Sequence, residues 1–298
     1  MANCLGRGHM STELGIVLAF TAMASWGVAD FLAKKAIDQI GYRTSIIINQ
    51  TVAFFPILLV AALFFKLPGF SPLLFGEIAL AGVTGVIGYI FLYRGFGNGD
   101  VSVVAPITAS WSVITVLLAA FLFAERLAPI QIVGVVAVFI GVFFASTNFV
   151  ELKKRIKMGR WSAGAADAVI AMIAWGISYA LLKPITYAVG PVMALFLLKV
   201  LAVATLFTWT GMTKTKISLP AKIIFLLLAV AGLLDFSAFL AFNFSLNTQY
   251  VAVVSAIAAT APAVTIGLAY IFLKERIVVN QKLGIIAILA GLILIALT

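Results

Sequence analysis

Ten apolar runs dominate the chain, at 13–34, 44–66, 75–96, 101–123, 128–148, 163–186, 190–212, 221–244, 250–273 and 281–297. Each is long enough to cross roughly 30 Å of hydrocarbon as a helix. The 298 residues are 64% hydrophobic and 10% charged, whereas a soluble domain is about half apolar and about a quarter charged. So few polar side chains cannot cover a water-facing surface, so lipid must be the solvent for most of the exterior. A closed β-barrel would show alternating strands of roughly ten residues. These runs are about twice that length and rich in Leu, Ile, Val and Ala, which selects helices. The expected fold is therefore an all-α integral membrane protein with ten transmembrane helices, passing repeatedly through the cell membrane.

Cysteine and histidine usage removes several chemistries. Cys4 and His9 are the sole members of their types, and both fall in the opening MANCLGRGHM, which reads as a cloning remnant over 1–10 before a native start near Met10. Without them there is no thiolate or imidazole metal site, no disulfide and no Cys/His or Ser/His nucleophile. Proton chemistry must use Asp, Glu, Lys or Tyr. The first apolar run lacks a basic segment directly before it and a small-residue cleavage site, so it is read as a retained helix. The GxxxxGK[ST] phosphate loop and HExxH are absent, and Ser178 and Lys183, five residues apart, point to different helix faces. The expectation is no enzyme, no cofactor, no catalytic residue and no metal. The net charge of +10 is assigned to membrane-surface contact, with no nucleic-acid partner.

Connections such as Asn98-Gly99-Asp100 are short, which predicts antiparallel neighbours in sequence order around one core. The distinctive joint is 149–161, NFVELKKRIKMGR, which divides the runs five and five. Across it the chain repeats itself with an offset of 149 to 150 residues. Trp26-Gly27 and Lys34 recur as Trp175-Gly176 and Lys183, and Gly82 as Gly232. Val103-Val104-Ala105-Pro106-Ile107 parallels Val253-Val254-Ser255-Ala256-Ile257. Glu125-Arg126, Gln131, Gly134 and Gly141 recur as Glu275-Arg276, Gln281, Gly284 and Gly291. Five spans per half is an odd number, so the second half must enter the membrane from the opposite side. Such inverted repeats are common in secondary transporters, where two halves can exchange conformations around a midplane site.

The Trp-Gly first helix, the fourth helix ending in Phe-Ala-Glu-Arg or Leu-Lys-Glu-Arg, and the following Gln-x-x-Gly resemble EamA-type permeases of the drug/metabolite transporter superfamily. The resemblance spans both halves, an 11–148 repeat and a 162–298 repeat around the basic 149–161 linker. It implies a ten-helix basket with a central cavity and transport of small metabolites, often export of amino acids.

Trp26, Asp30 and Lys34 lie four apart on one stripe of the first helix, and Trp175, Tyr179 and Lys183 form its counterpart. A carboxylate inside a span needs a cation partner or a function. For Asp30 two readings stand: an ion pair with Lys34, or contact with substrate or proton. Asp235 lies in the middle of its span, and Lys199 is the basic residue at comparable depth. This pair is either a structural ion pair or the titrating element of coupled transport. Asn49 and Gln50 in the second helix face Lys199 across the repeat and could bond a zwitterion. Trp26, Tyr89, Tyr93, Trp111, Trp175 and Tyr179 are candidate cavity walls, while Trp161, Trp209 and Tyr250 suit an interfacial belt. Pro106 and Pro262 fall inside spans and are expected to kink them. Glu125, Arg126, Glu275 and Arg276 at span ends are assigned to structure or gating, and Gly134, Gly141, Gly284 and Gly291 to close helix packing.

Basic residues divide four against fifteen between the two sides, with Lys199 inside. The positive-inside rule then puts the central linker in the cytoplasm, whereas the resemblance implies cytoplasmic termini. The functional expectation is a secondary transporter exporting small metabolites, foremost amino acids or related zwitterions. The alternatives are export of hydrophobic or cationic drugs, for which an acid unpaired with lysine is the expected mark, and uncoupled uniport. A non-transporting scaffold would need no cavity. The partners are a small-molecule substrate and the lipid bilayer. Two complete halves suffice for one path as a monomer, with dimerisation open.

Overall fold

The computed structural model describes residues 12–64, 69, 71–98, 104, 107–124, 127–146, 149, 153, 163–214, 217, 220–273 and 278–296. Among these, all regular structure is helical: α1 (Thr12–Ile40), α2 (Tyr42–Phe64), α3 (Pro72–Asn98), α4 (Trp111–Phe123), α5 (Pro129–Ser146), α6 (Ala163–Val189), α7 (Pro191–Met212), α8 (Lys222–Ser245), α9 (Val251–Ala258), α10 (Ala261–Leu273) and α11 (Val279–Ala296). Six of them, α1, α2, α3, α6, α7 and α8, are long and apolar enough to cross a membrane, and the remainder are shorter apolar helices. Large apolar side chains such as Phe121, Leu73 and Val279 stand exposed on the outside, as a lipid-facing wall requires. Residues 1–11, most of 149–161, Pro106, Glu125, Arg126, Glu275 and Arg276 lie outside the described residues.

The helices differ from the apolar runs where polar residues sit on helical backbone. α1 continues to Ile40, past Lys34, Lys35 and Asp38. It stops at Gly41, whose φ of +77° takes the left-handed conformation that lets the chain turn into α2. Gly190, with φ +83°, does the same between α6 and α7. Gly41 and Gly190 accept these turns at opposite ends of the bundle. The Gly41 end also gathers the close of α3 and the start of α6, since a methyl added at Gly95 would lie 3.5 Å from the Gly164 carbonyl oxygen. The Gly190 end joins the start of α1 to the close of α8, where the Ser245 hydroxyl donates to the Gly15 carbonyl at 2.6 Å.

The fourth and ninth runs are broken rather than continuous. Ser110 sits in a turn before α4, its N–H donating to Ile107 O at 3.2 Å while its carbonyl accepts from Val113 at 3.1 Å. At the position 150 residues later, Thr260 N–H donates to Ile257 O at 3.1 Å and its carbonyl accepts from Ala263 at 2.9 Å. Both breaks thus use the same short-range bonds. Pro262 accounts for the second, because it has no N–H for the next turn. The first break has Ser112 at the corresponding position, its hydroxyl donating to Ala109 O at 3.1 Å.

The most extensive packing joins opposite halves: α5 with α11, α3 with α6 and α1 with α8. Neighbours in sequence, such as α1 with α2 and α2 with α3, also touch, but less. The expected contacts between sequence neighbours are therefore present, and the more extensive ones interlock the two halves. Glycines explain how the backbones come so close. A methyl at Gly27 would approach Ala261 O to 2.7 Å, and one at Gly176 would approach Trp111 O to 3.2 Å. Each Trp-Gly pair thus lays its helix against the break of the other half. Thr265 and Thr115 fasten these contacts, their hydroxyls donating to Gly27 O at 2.9 Å and Gly176 O at 3.0 Å. In the α5–α11 crossing, a methyl at Gly141 would lie 2.8 Å from Gly284 O, and one at Gly291 2.7 Å from Gly134 O. Two large buried clusters result, beside smaller ones. One, at the Gly190 end, includes Trp111, Tyr179, Phe242 and Leu246; the other, at the Gly41 end, includes Tyr89, Leu92, Tyr93 and Phe96.

Candidate functional site

Asp235 arrives at mid-depth on α8 with only a helix backbone around it, so its carboxylate must find donors on neighbouring helices. It finds four. Lys199 Nζ on α7 donates to Oδ2 at 2.6 Å and Gln50 Nε2 on α2 to the same oxygen at 3.4 Å. The Tyr89 hydroxyl on α3 donates to Oδ1 at 2.6 Å, and the Trp26 indole on α1 at 3.2 Å. Lys199 is equally engaged: it donates to Gln50 Oε1 at 2.8 Å, and its ammonium lies 4.8 Å from the Phe239 ring centroid and 5.5 Å from that of Tyr89. Both charged residues are only 3% exposed. A buried pair with this many partners is electrically closed, and removal of either member leaves an uncompensated charge costing about 3–5 kcal/mol.

Asn49 and Gln50 belong to this cluster rather than to a cavity wall. Gln50 Nε2 donates to Asn49 Oδ1 at 3.1 Å, and the two residues are 2% and 1% exposed. The reason is local, because Lys199 needs a second acceptor and Gln50 supplies it. Tyr93 is likewise buried in the Gly41-end cluster and does not line the cavity.

Beside the cluster lies a cavity of about 70 Å³. Trp26, Tyr89, Trp111, Trp175 and Tyr179 form its aromatic wall, with Asp30 and the inner edge of Asp235 as its carboxylates. The rings hold one another: Trp111 stacks on Tyr179 at 4.2 Å, and Trp26 meets Tyr179 edge-on at 5.8 Å. The Trp175 indole is fixed by donation to Gly85 O at 3.1 Å, and Tyr89 meets Trp175 edge-on at 5.2 Å. Thr108, Ala109, Ala258, Ala259 and Pro262 add both helix breaks to the lining, and Leu92 and Phe96 extend it toward the Gly41 end. The residues 150 positions on from Leu92 and Phe96, namely Phe242 and Leu246, are fully buried in the Gly190-end cluster. The cavity thus reaches Leu92 and Phe96, while Phe242 and Leu246 are not part of its lining.

Asp30 does not pair with Lys34. Lys34 Nζ instead meets Asp38 Oδ1 at 2.5 Å and donates to Phe96 O at 3.0 Å. Asp38 lies one turn nearer the helix end and is half exposed, so the lysine places its charge toward water and the end of α3 rather than inward. Among the described residues, Asp30 has no hydrogen bond and no cationic partner.

Sequence reasoning missed Thr108, the alanines of the breaks and the fastening threonines. The offset of 150 was the signal for Thr115 and Thr265, and Pro262 marked the break in the ninth run, whereas nothing in the turn at Ser110 marks the break in the fourth.

A family model described as "EamA-like transporter family" matches the chain twice, over residues 13–147 and 162–297. No curated protein matches it. A solved structure described as "Crystal structure of protein" is similar with a TM-score of 0.75 and 16% identity, over 95% of this chain and 98% of the other; that likeness concerns the fold. With both halves covered by the family model, this multi-pass membrane protein belongs to the EamA-like transporter family, within the drug/metabolite transporter superfamily.

Proposed function

We propose that the protein is a secondary transporter which exports small metabolites across the plasma or inner membrane by alternating access, with the amino acids or related zwitterions expected from the sequence as one reading of its substrate. Ten segments cross the bilayer as two inverted five-helix repeats, with α9 and α10 as one broken span and α4 the larger part of another. A monomer provides a complete path. The observation that carries this reading is the unequal state of equivalent positions: Leu92 and Phe96 line a cavity, while Phe242 and Leu246 are packed. Exchange of conformations between the halves converts each arrangement into the other and opens the site to the opposite face. A second reading, transport of hydrophobic organic cations, is favoured by the lack of a lysine partner at Asp30.

The test is access from the two membrane faces. In a Cys4→Ser background, Leu92→Cys and Phe242→Cys are placed in proteoliposomes and treated with an impermeant maleimide from either side. The expected result is labelling of each position from one face only, and from opposite faces. Labelling of neither, or of both from the same face, overturns alternating access.

A further inference from the structure

Resting on that transport reading, we infer that the cavity is a receptor for a monocation bearing N–H donors, an organic ammonium on an aromatic or apolar body, with Asp30 as its counter-charge. Among the residues that line it, the cavity offers the carboxylate of a zwitterion no cation. Lys199, which could have met a substrate carboxylate, is engaged by Asp235 and Gln50 and does not line the cavity. Three aromatic donors on the wall are also engaged: the Trp26 indole and the Tyr89 hydroxyl on Asp235, and the Trp175 indole on Gly85 O. The Trp111 indole N–H and the Tyr179 hydroxyl make no hydrogen bond among the described residues and leave two neutral donors on the wall; the other polar groups supply acceptors.

Asp30 is the first of these. Thr108 is the second: its hydroxyl has no hydrogen-bond partner although the residue is only 3% exposed, and it lines the cavity. An unpartnered buried hydroxyl calls for an occupant that can bond it. The ninth-span break supplies the third. Pro262 has no N–H to give the Ala258 carbonyl, and the Ala263 N–H that would reach Ala259 O goes to Thr260 O instead at 2.9 Å. Ala258 and Ala259 both line the cavity. Carbonyls freed at a broken membrane helix suit cations, and an ammonium can donate to several acceptors at once. The Trp111 and Tyr179 rings provide an aromatic wall for a cation's body and its charge. A carboxylate in the same space would face Asp30 and these oxygens without a cation to balance it.

Four probes with one phenyl body separate charge from shape: 2-phenylethylammonium, 2-phenylethanol, phenylalanine and 3-phenylpropionate. Binding to the full chain in lipid nanodiscs is followed by tryptophan fluorescence, since three tryptophans line the cavity. The expected result is 2-phenylethylammonium binding at least about tenfold tighter than 2-phenylethanol or phenylalanine, with 3-phenylpropionate weakest. In Asp30→Asn the ratio of ammonium to alcohol affinity falls to within about twofold. Phenylalanine binding as tightly as the ammonium, an unchanged ratio in the variant, or no binding by any probe overturns the inference. The maleimide measurement uses no ligand, so it separates failure of cation recognition from failure of the transport reading.

Discussion

The two halves carry the same scaffold and opposite chemistry. Gly41 and Gly190 turn the chain, Ser110 and Thr260 sit in the breaks, and Thr115 and Thr265 fasten the crossings with bonds that differ by 0.1 Å. At the positions that meet near the centre the correspondence fails. Asp30 stands where the other half has Tyr179, Gly85 where it has Asp235, Tyr89 where it has Phe239, and Asn49 where it has Lys199. Even the paired tryptophans diverge. Trp175 donates to a backbone carbonyl at Gly85, while Trp26 donates to the side chain of Asp235, the residue equivalent to that glycine. Backbone geometry must be shared for the halves to interlock, whereas a small solute is recognised by groups that need not be duplicated.

Breaking the charged asymmetry has the largest expected effect. Lys199→Met leaves Asp235 buried without its cation and lowers stability by about 3–5 kcal/mol, read as a shifted midpoint in a denaturant titration in mixed micelles. Adding Asp235→Leu removes the stranded charge, so the double variant regains most of that loss. An unaltered midpoint in the single variant would show that the pair is not closed. A middle effect compares Trp26→Phe with Trp175→Phe. Both remove similar volume, but the first takes a donor from a charged acceptor, worth about 1.5–3 kcal/mol, and the second from a neutral carbonyl, worth about 1 kcal/mol. Equal losses would remove the distinction between the two halves at these indoles. The smallest effect sharpens the shared scaffold: Thr115→Val and Thr265→Val each cost about 1 kcal/mol and agree to within about 0.5 kcal/mol.

Much of the scaffold was legible because apolar length and repeat offset are properties of the chain itself. The Lys199–Asp235 meeting was legible for a related reason: at mid-depth in apolar spans, few alternatives exist for either charge. Lys34 was not, because it had an acid one turn away on each side, and the choice of Asp38 depends on where the helix leaves the apolar layer and on the carbonyl of Phe96. The roles of Gln50 and Tyr93 also depend on which helices from the other half arrive beside them. The break at Ser110 carries no proline within its turn, so its position became visible only in the hydrogen bonds.

The glycine crossing of α5 and α11 has a property that the other major contacts lack. Exchanging the halves sends Gly141 and Gly284 to Gly291 and Gly134, so the crossing becomes itself, whereas the α1–α8 contact becomes α6–α3. Any motion that only swaps the roles of the halves therefore leaves the distance between equivalent positions on α5 and α11, such as Gly141 and Gly291, unchanged. A pair of spin labels there is a stationary ruler, against which opposite changes at the other two crossings can be read.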